Sequence, residues 1–431
     1  MTSEHVVSVT KQEVRNRRVM YIPGYDPVPP RKYRERYRVQ SARQAALSGY
    51  RIDMLKPQET ARFGWHLIAH MDGQDTRTEI EVMYWADIVR SSLSPSILLT
   101  YVQLLGTAWT YIGSGALFRL MRLRKGPVIA ALYPVVVLLA QAALAISLGG
   151  VVYTGLLLSG FAALEVVHDD PVGRPYDIVL LALSVAGGLV GAGAFLRWCQ
   201  RRDHVLAWYL MHDYAFSAQH AGAYPPAQEA RMAEFADRIA EALTDDIDEL
   251  LIVGHSSGAY LAISILADVI RAGRVPAGGP ALGLLTLGHV VPMVSFLPEA
   301  RRLRADLAYL STREELTWVD VTAPGDGCAF ALCDPVSVSG VAPEGKRWPL
   351  VISAAFSQTL RPETWRALRW RLFELHFQYL NAFDNLPGQP DDYDYFRITA
   401  GPLTLATRFA TRPASKSRIE RPENRFTDLA A

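Results

Sequence analysis

Five consecutive residues, Gly254-His255-Ser256-Ser257-Gly258, match the pattern G-x-S-x-G, in which the central serine can attack an acyl carbon. An apolar run from Glu249 to Val253 precedes them, and helical apolar spacing begins at Ser257. A serine on so tight a turn needs glycine two residues before and after it, because neighbouring elements pack closely there. Ser256 is therefore predicted to be a nucleophile. The alternative is a strand–helix turn built from small residues.

In this context the segment resembles the nucleophile elbow of the α/β-hydrolase superfamily, in particular its lipases and esterases, whose elbow often reads G-H-S-x-G. The wider resemblance, in the order of strands and helices, covers residues 15–90 and 205–400. It implies a serine hydrolase that cleaves a carboxylic ester, with Gly254 and Gly258 as the elbow glycines. Acyl transfer by the same residues and a non-catalytic binding or assembly module are the alternatives.

The resemblance also implies an oxyanion hole formed by two backbone N–H groups. The helix that begins at Ser257 supplies one of them. The segment "YIPGYDP" occupies the place of the other, so the N–H of Tyr25 is assigned to it. Proline stands here where the family commonly has histidine, and an ordinary turn after a strand is the alternative.

The resemblance further implies an acid and a base after the serine, in that order. Asp326 lies in a glycine-flanked loop after the apolar run "LTWVDVT"; Asp334 is the second choice. His376 is the only histidine downstream of Asp326, so it is predicted to be the base, although its helical surroundings also fit a helix-face residue. His289, at the end of another apolar run, is the alternative base or a pocket residue.

No P-loop, G-x-G-x-x-G or clustered metal-ligand motif occurs, so neither a cofactor nor a metal is expected. Lysine and arginine (44) balance aspartate and glutamate (43), which gives no support to a nucleic-acid partner. Three cysteines are too few for a disulfide framework and fit a reducing compartment. The expected partners are a lipid bilayer and a small-molecule or lipid ester; no oligomeric state is indicated.

The elements that must position these residues alternate between apolar strands and helical segments. This order predicts an α/β fold with a mainly parallel sheet flanked by helices, interrupted by a helical transmembrane insertion. A hairpin is predicted from "FGWHLIAHM" and "TEIEVMYWA" around "DGQDTR". Residues 1–90 form the first part of the hydrolase domain, 91–203 the insertion and 204–410 the second part, before a polar, loosely ordered tail at 411–431.

Two long uncharged runs are predicted to span the membrane at about residues 127–164 and 178–196. The first is too long for one upright helix, and Gly149-Gly150 is a candidate break within it. The uncharged stretch from Ser91 to Phe118 favours an interfacial or packed helix. The two runs give two crossings of the membrane. If the stretch from Ser91 to Phe118 also crosses and Gly149-Gly150 is a turn, the number becomes four.

Basic residues precede the first run, at Arg119 to Lys125, and follow the second run, at Arg197 to Arg202. Such flanks remain in the cytoplasm. Tyr25 and Ser256 must also meet in one site although the runs separate them, so the number of crossings must be even. The sequence therefore predicts a multi-pass protein of the inner, cytoplasmic membrane whose catalytic domain faces the cytoplasm.

Overall fold

The computed structural model describes residues 13–55, 63–167, 174–384 and 393–430. Within these ranges eight strands form one sheet. In chain order they are β1 (Asn16–Ile22), β2 (Arg51–Met54), β3 (Gly64–Met71), β4 (Gln74–Val82), β5 (Glu249–His255), β6 (Ala281–Leu287), β7 (Thr317–Thr322) and β8 (Leu350–Ser353).

The same ranges contain seventeen α-helices. They are α1 (Pro30–Ser48), α2 (Ala86–Ser92), α3 (Ile97–Gly113), α4 (Ala116–Leu123), α5 (Lys125–Val167), α6 (Arg174–Arg202), α7 (Ala207–Ala218), α8 (Pro226–Ala242), α9 (Ser257–Arg271), α10 (Val291–Ser295), α11 (Arg301–Leu310), α12 (Pro335–Val338), α13 (Phe356–Thr359), α14 (Pro362–Leu368), α15 (Leu372–His376), α16 (Tyr395–Ala400) and α17 (Leu405–Phe409). Proline in the first turn starts α1 and α8, where its missing N–H removes no hydrogen bond.

The strands lie in the order β2-β3-β4-β1-β5-β6-β7-β8. From β4 through β1 to β8 every neighbouring pair is parallel, and only β2 with β3 and β3 with β4 are antiparallel. The prediction of a mainly parallel α/β sheet flanked by helices is confirmed. Because the strands are parallel, the loops after β1, β5, β6 and β7 leave from the same edge of the sheet.

The sheet is buried on both faces. Alternate residues of the central strands, such as Val19 and Leu251, join one apolar cluster with Tyr33 of α1 and Phe396 of α16. Helix α9 lies against β5 and packs with α8 and α11. The buried central strands explain the nearly continuous apolar runs that identify them in the sequence.

The predicted hairpin forms β3 and β4, with a shorter turn than expected. Asp72 (φ 53°) and Gly73 (φ 77°) make a two-residue turn, so that Met71 pairs directly with Gln74. Positive φ at both central positions matches the twist of the flanking strands. Strand β4 therefore begins at Gln74 and not at Thr78.

The carboxyl-terminal tail is held against the sheet domain, so the expectation of a loosely ordered tail is wrong. Ile419 accepts a hydrogen bond from the Asp334 N–H (2.9 Å) and donates one to the Leu332 carbonyl (2.7 Å). The buried Arg304 side chain donates to the Asp428 carbonyl at 2.9 Å. Backbone groups, which the residue types do not reveal, make most of these contacts.

The chain divides into two compact units. The first comprises Met1–Ser92, Trp109–Val128 and Ser217–Ala431, and includes the whole sheet. The second comprises Leu93–Ala108 and Ile129–Phe216. In the second unit Leu104, Leu138, Trp208 and Met211 form a small buried cluster.

Helices α5 and α6 are long and apolar enough to cross a membrane, with mean hydropathies of 2.4 and 2.2 in their most apolar windows. Only 17% and 11% of the residues in these windows are buried in the protein. In the part of the chain that the structure describes, a third candidate span exists only if the pair α2 and α3, broken at residues 93–96, counts as one bent span. Apolar side chains exposed along such lengths favour a lipid environment.

Gly149-Gly150 does not break helix α5, contrary to the expectation from sequence. The helix is continuous over 43 residues, about 64 Å at 1.5 Å per residue. A Cβ on Gly149 would lie 2.7 Å from the Gly188 carbonyl oxygen of α6, and one on Gly188 would lie 2.8 Å from the Gly149 carbonyl oxygen. These glycines allow the two helices to touch backbone to backbone, as small residues do in membrane helix pairs.

A side chain at Gly188 is expected to force the two helices apart. Gly188→Val should lower the free energy of unfolding by about 1–3 kcal/mol, because the backbone contact leaves no room for it. Gly193→Val is the matched control on the same helix, since a Cβ there meets no atom within 4 Å. Thermal unfolding of both variants in detergent, followed by circular dichroism, provides the measurement. Equal midpoints would contradict the proposed contact.

Candidate active site

Ser256 occupies the turn between β5 and α9, with φ 57° and ψ −120°. A serine rarely adopts this conformation, which concentrates strain at the turn. Its N–H donates to the Leu287 carbonyl at the end of β6, 2.9 Å away. From Glu249 to Ala267 every residue except Ser256 is buried. The turn therefore exposes this one side chain.

Both glycines of the pattern are required by close contacts. A Cβ on Gly258 would overlap the Ile22 carbonyl oxygen at the end of β1. A Cβ on Gly254 would lie 2.7 Å from the Gly258 carbonyl oxygen. The turn is therefore pressed against itself and against the neighbouring strand, which explains why only glycine fits at these two positions.

The loop after β1, predicted to supply an oxyanion N–H, lies against Ser256. A Cβ on Gly24 would be 2.9 Å from the Ser256 Cβ and 3.4 Å from its Oγ. The Trp85 Nε1–H donates to the Pro23 carbonyl at 2.9 Å, and the hydroxyls of Tyr25 and Ser92 lie 2.5 Å apart. The structure thus places the Gly24 backbone, one residue before Tyr25, against Ser256.

Asp326 and His376 form a buried hydrogen-bonded pair. His376 Nδ1 lies 2.7 Å from Asp326 Oδ2, and because a carboxylate only accepts, Nδ1 carries the proton. The Tyr379 hydroxyl donates to the same Oδ2 at 3.0 Å, and the Cys328 N–H donates to Oδ1 at 2.8 Å. Burial raises the pKa of Asp326, but the His376 ring and these hydrogen bonds outweigh it and hold that pKa below its ordinary value. Asp326 is therefore ionised at neutral pH.

The other ring nitrogen of His376, Nε2, is buried and has no hydrogen-bond partner among the described residues. The ring lies beside the end of β6: a Cβ on Gly288 would be 3.2 Å from the His376 Cε1. Gly288 directly follows Leu287, whose carbonyl holds the Ser256 N–H. An imidazole with one unpartnered nitrogen therefore lies near the end of β6, the strand whose last carbonyl accepts from the Ser256 N–H.

Two further residues belong to this arrangement and were not assigned to it from the sequence. His255 Nε2 donates to the His376 carbonyl at 3.0 Å, with ring centroids 4.8 Å apart. Burial is the main cause that lowers the pKa of His255 to about 3, and the charge of the neighbouring His376 ring is the second. The His255 ring is therefore neutral. Tyr379 holds Asp326 and also accepts from the Ala323 N–H at 2.9 Å. Its spacing of three residues after His376 is the one sequence signal that could have indicated it.

The alternative residues make other contacts. Asp334 caps α12 by accepting from the N–H groups of Val336 and Ser337, and it pairs with Lys346 at 2.5 Å. His289 Nε2 lies 3.0 Å from the Cys333 carbonyl and 3.6 Å from the buried Asp320. Neither residue lies in the hydrogen-bonded group around Asp326.

Asp326, Cys328 and His376 each offer one ligand atom, and these atoms all lie within 4.8 Å of one another. A tetrahedral metal with bonds of about 2.0–2.3 Å keeps its ligand atoms more than about 3 Å apart. The 2.7 Å between His376 Nδ1 and Asp326 Oδ2 is instead a hydrogen-bond distance. A metal would therefore have to displace the proton that joins these two residues.

Comparison of the chain with protein-family models, with curated proteins and with solved structures found no match in any of the three. The fold is a mixed α/β fold with a mainly parallel sheet of eight strands. A function can therefore be inferred only from the atoms of the site: the strained serine, the glycine contacts around it and the buried histidine–aspartate pair.

Acid should destabilise the fold partly through His289. Burial lowers the pKa of this histidine from 6.5 to about 4, so the unfolded chain binds a proton there before the folded one does. Stability should fall as pH drops from about 6.5 to about 4, by about 1.4 kcal/mol per pH unit from this group.

His289→Gln keeps a donor for the Cys333 carbonyl and removes the titration. Unfolding midpoints between pH 7 and pH 4 should then depend less steeply on pH than those of the unsubstituted chain. His204→Gln, at an exposed histidine, is the control and should keep the original slope. An unchanged slope in His289→Gln would refute this assignment.

Proposed function

We propose that the chain is a membrane-anchored serine hydrolase of the α/β-hydrolase type that cleaves a carboxylic ester. The observation that carries the proposal is the buried pair of His376 and Asp326, with the unpartnered His376 Nε2 near the end of β6, where the Leu287 carbonyl accepts from the Ser256 N–H. The strained backbone of Ser256 and the glycine contacts around it support the same assignment.

The chemistry follows from these roles. His376 Nε2 takes the proton of the Ser256 hydroxyl as its Oγ attacks the acyl carbon, and returns it to the leaving alcohol. A water then gives a proton to the same nitrogen as its oxygen attacks the acyl carbon of the serine ester, and the nitrogen returns this proton to Ser256 Oγ as the acid leaves. Asp326 keeps Nδ1 protonated throughout and stabilises the imidazolium that forms. Transfer of the acyl group to another acceptor would use the same residues.

The oxyanion is proposed to accept hydrogen bonds from the N–H groups of Ser257 and Tyr25. Ser257 is the first residue of α9, so its N–H has no acceptor within that helix. The contact of Gly24 with Ser256 brings the loop that carries Tyr25 to the same side. Fixed N–H groups are effective here because they need not reorganise as the negative charge develops.

Anchoring in a membrane is proposed from α5 and α6, which lie in sequence between Tyr25 and Ser256. Both site residues belong to one compact unit, which requires an even number of crossings. Two spanning helices satisfy this, whereas a further span through α2 and α3 would not. Basic residues before α5 and at the end of α6 favour a cytoplasmic site at the inner membrane.

A fluorophosphonate probe tests the nucleophile directly, because it reacts with serines activated by a neighbouring base. We expect the membrane-embedded wild type to be labelled and Ser256→Ala to remain unlabelled. His376→Gln should slow labelling at least about a thousandfold. His289→Gln should retain it. Labelling that survives Ser256→Ala would refute Ser256 as the nucleophile, and no labelling of the folded wild type would favour a non-catalytic binding module instead.

Tyr379→Phe removes one hydrogen bond to the Asp326 carboxylate, and we expect kcat/KM for a soluble ester to fall about tenfold. The acidic limb of the pH profile should move to higher pH, because Asp326 then interacts more strongly with the imidazolium. Tyr393→Phe removes a nearby buried hydroxyl that donates to the Tyr379 carbonyl and not to Asp326. If it shifts the pH profile equally, Tyr379 acts only through packing.

A further inference from the structure

Two segments of the sheet-containing unit meet at the loop that carries Asp326. The first is residues 361–372, and the second is α4 with the two residues after it, 116–125. We call them together the basic rim. A Cβ on Gly325 would lie 2.5 Å from the Trp365 ring, and one on Gly327 would lie 3.2 Å from the Leu372 side chain. Residues 361–372 therefore contact both glycines that flank Asp326.

The second segment reaches the same loop and leads directly into the first apolar helix. The Arg124 Nε–H donates to the Ala331 carbonyl at 2.8 Å, and a Cβ on Gly126 would lie 3.5 Å from the Gly327 Cα. Gly126 is in the first turn of α5, where the long uncharged run begins. The membrane-spanning candidate thus starts beside the loop of the catalytic acid.

The basic rim exposes large apolar side chains among positive charges. Trp370 is 79% exposed and Phe118 61%. The positive residues are Arg361, Arg366, Arg369, Arg371, Arg119, Arg122, Arg124 and Lys125, and the one acidic residue within the rim is Glu363.

Ion pairs with other described residues neutralise little of this charge. Glu363 lies 3.7 Å from Arg366, and Glu374, just outside the rim, lies 2.6 Å from Arg371. Both are exposed pairs within one turn of chain, which contribute little and compete poorly with other anions. The Arg369 guanidinium lies over the Trp370 ring at 5.5 Å, so an arginine and an aromatic ring are presented together.

We propose that the basic rim rests on an anionic bilayer surface, with Trp370 and Phe118 at headgroup depth. Aromatic rings and basic side chains are the residues that favour this zone. The start of α5 beside the same loop brings the bilayer surface to the rim, since charged residues end at Lys125 and the uncharged run follows. If the proposed hydrolase function holds, the ester that reaches Ser256 is an acyl ester of a membrane lipid.

Accessibility of a nitroxide at position 370 tests the docking without any assay of activity. The full chain carrying Trp370→Cys is labelled and placed in nanodiscs of phosphatidylglycerol and phosphatidylcholine. Ala277→Cys is the matched exposed position, in the loop before β6 at the opposite edge of the sheet. The unsubstituted chain, treated with the same label, gives the background signal from Cys328, the least buried native cysteine.

We expect the ratio of oxygen to nickel-chelate accessibility to be about fivefold higher at position 370 than at position 277 in the anionic discs. Replacing Arg366 and Arg369 together by Gln should weaken docking about 25-fold, since each basic residue contributes about fivefold. Arg274→Gln, at the opposite edge, should change nothing. Equal ratios at the two positions would overturn the proposal. Shielding of position 370 from both reagents, which indicates a second protein copy, would overturn it as well.

Two esters separate this proposal from the hydrolase assignment. In the anionic discs, the Arg366/Arg369 variant should lose at least about tenfold more kcat/KM on a fluorogenic phospholipid ester than on a soluble acetyl ester. Equal losses of kcat/KM on both esters would contradict the proposal that the substrate is a membrane lipid. Absence of turnover on either ester in the wild type would refute the hydrolase, while the nitroxide measurement would still decide whether the rim contacts lipid.

Discussion

The contact between the elbow and the end of β1 is the constraint on which the candidate site depends. Gly258 stands so close to the Ile22 carbonyl that no side chain fits, and Gly24, two residues after Ile22, presses on Ser256. This contact exists because β1 and β5 pair in parallel, with Ile22 opposite Gly254. More than two hundred residues separate these two strands in sequence, so the chain must return to the sheet after the long helical segment to place β5 beside β1.

A second constraint is the buried negative charge of Asp326. Burial without partners would neutralise a carboxyl group, but His376, Tyr379 and the Cys328 N–H all donate to this one. These partners come from two segments about fifty residues apart. His255 then links His376 to the turn that carries Ser256, through the His376 carbonyl. The site is thus one network in which each residue orients the next.

The two long apolar helices are held together by different interactions from those that hold the sheet. We proposed that these helices cross a membrane, where lipid offers little hydrophobic driving force for association, so that their mutual contact would depend on shape. Gly149 and Gly188 supply that shape. Glycine therefore permits a close backbone contact in both places, at the strained turn beside Gly258 and between the two helices at Gly149. In a sequence without coordinates the pair at 149–150 looks like a break in the helix.

The sequence by itself determined the features that depend on neighbours along the chain. Apolar runs identified the strands of the parallel sheet and the two long apolar helices, and the spacing of glycines around Ser256 identified the elbow. The chain order implied by the resemblance to α/β-hydrolases then selected Asp326 and His376 as candidates. Only the tertiary structure decided which polar groups meet: that Tyr379 and His255 complete the network, that Asp334 caps a helix, and that the tail binds the domain. These contacts join residues far apart in sequence, often through backbone atoms that every residue type shares.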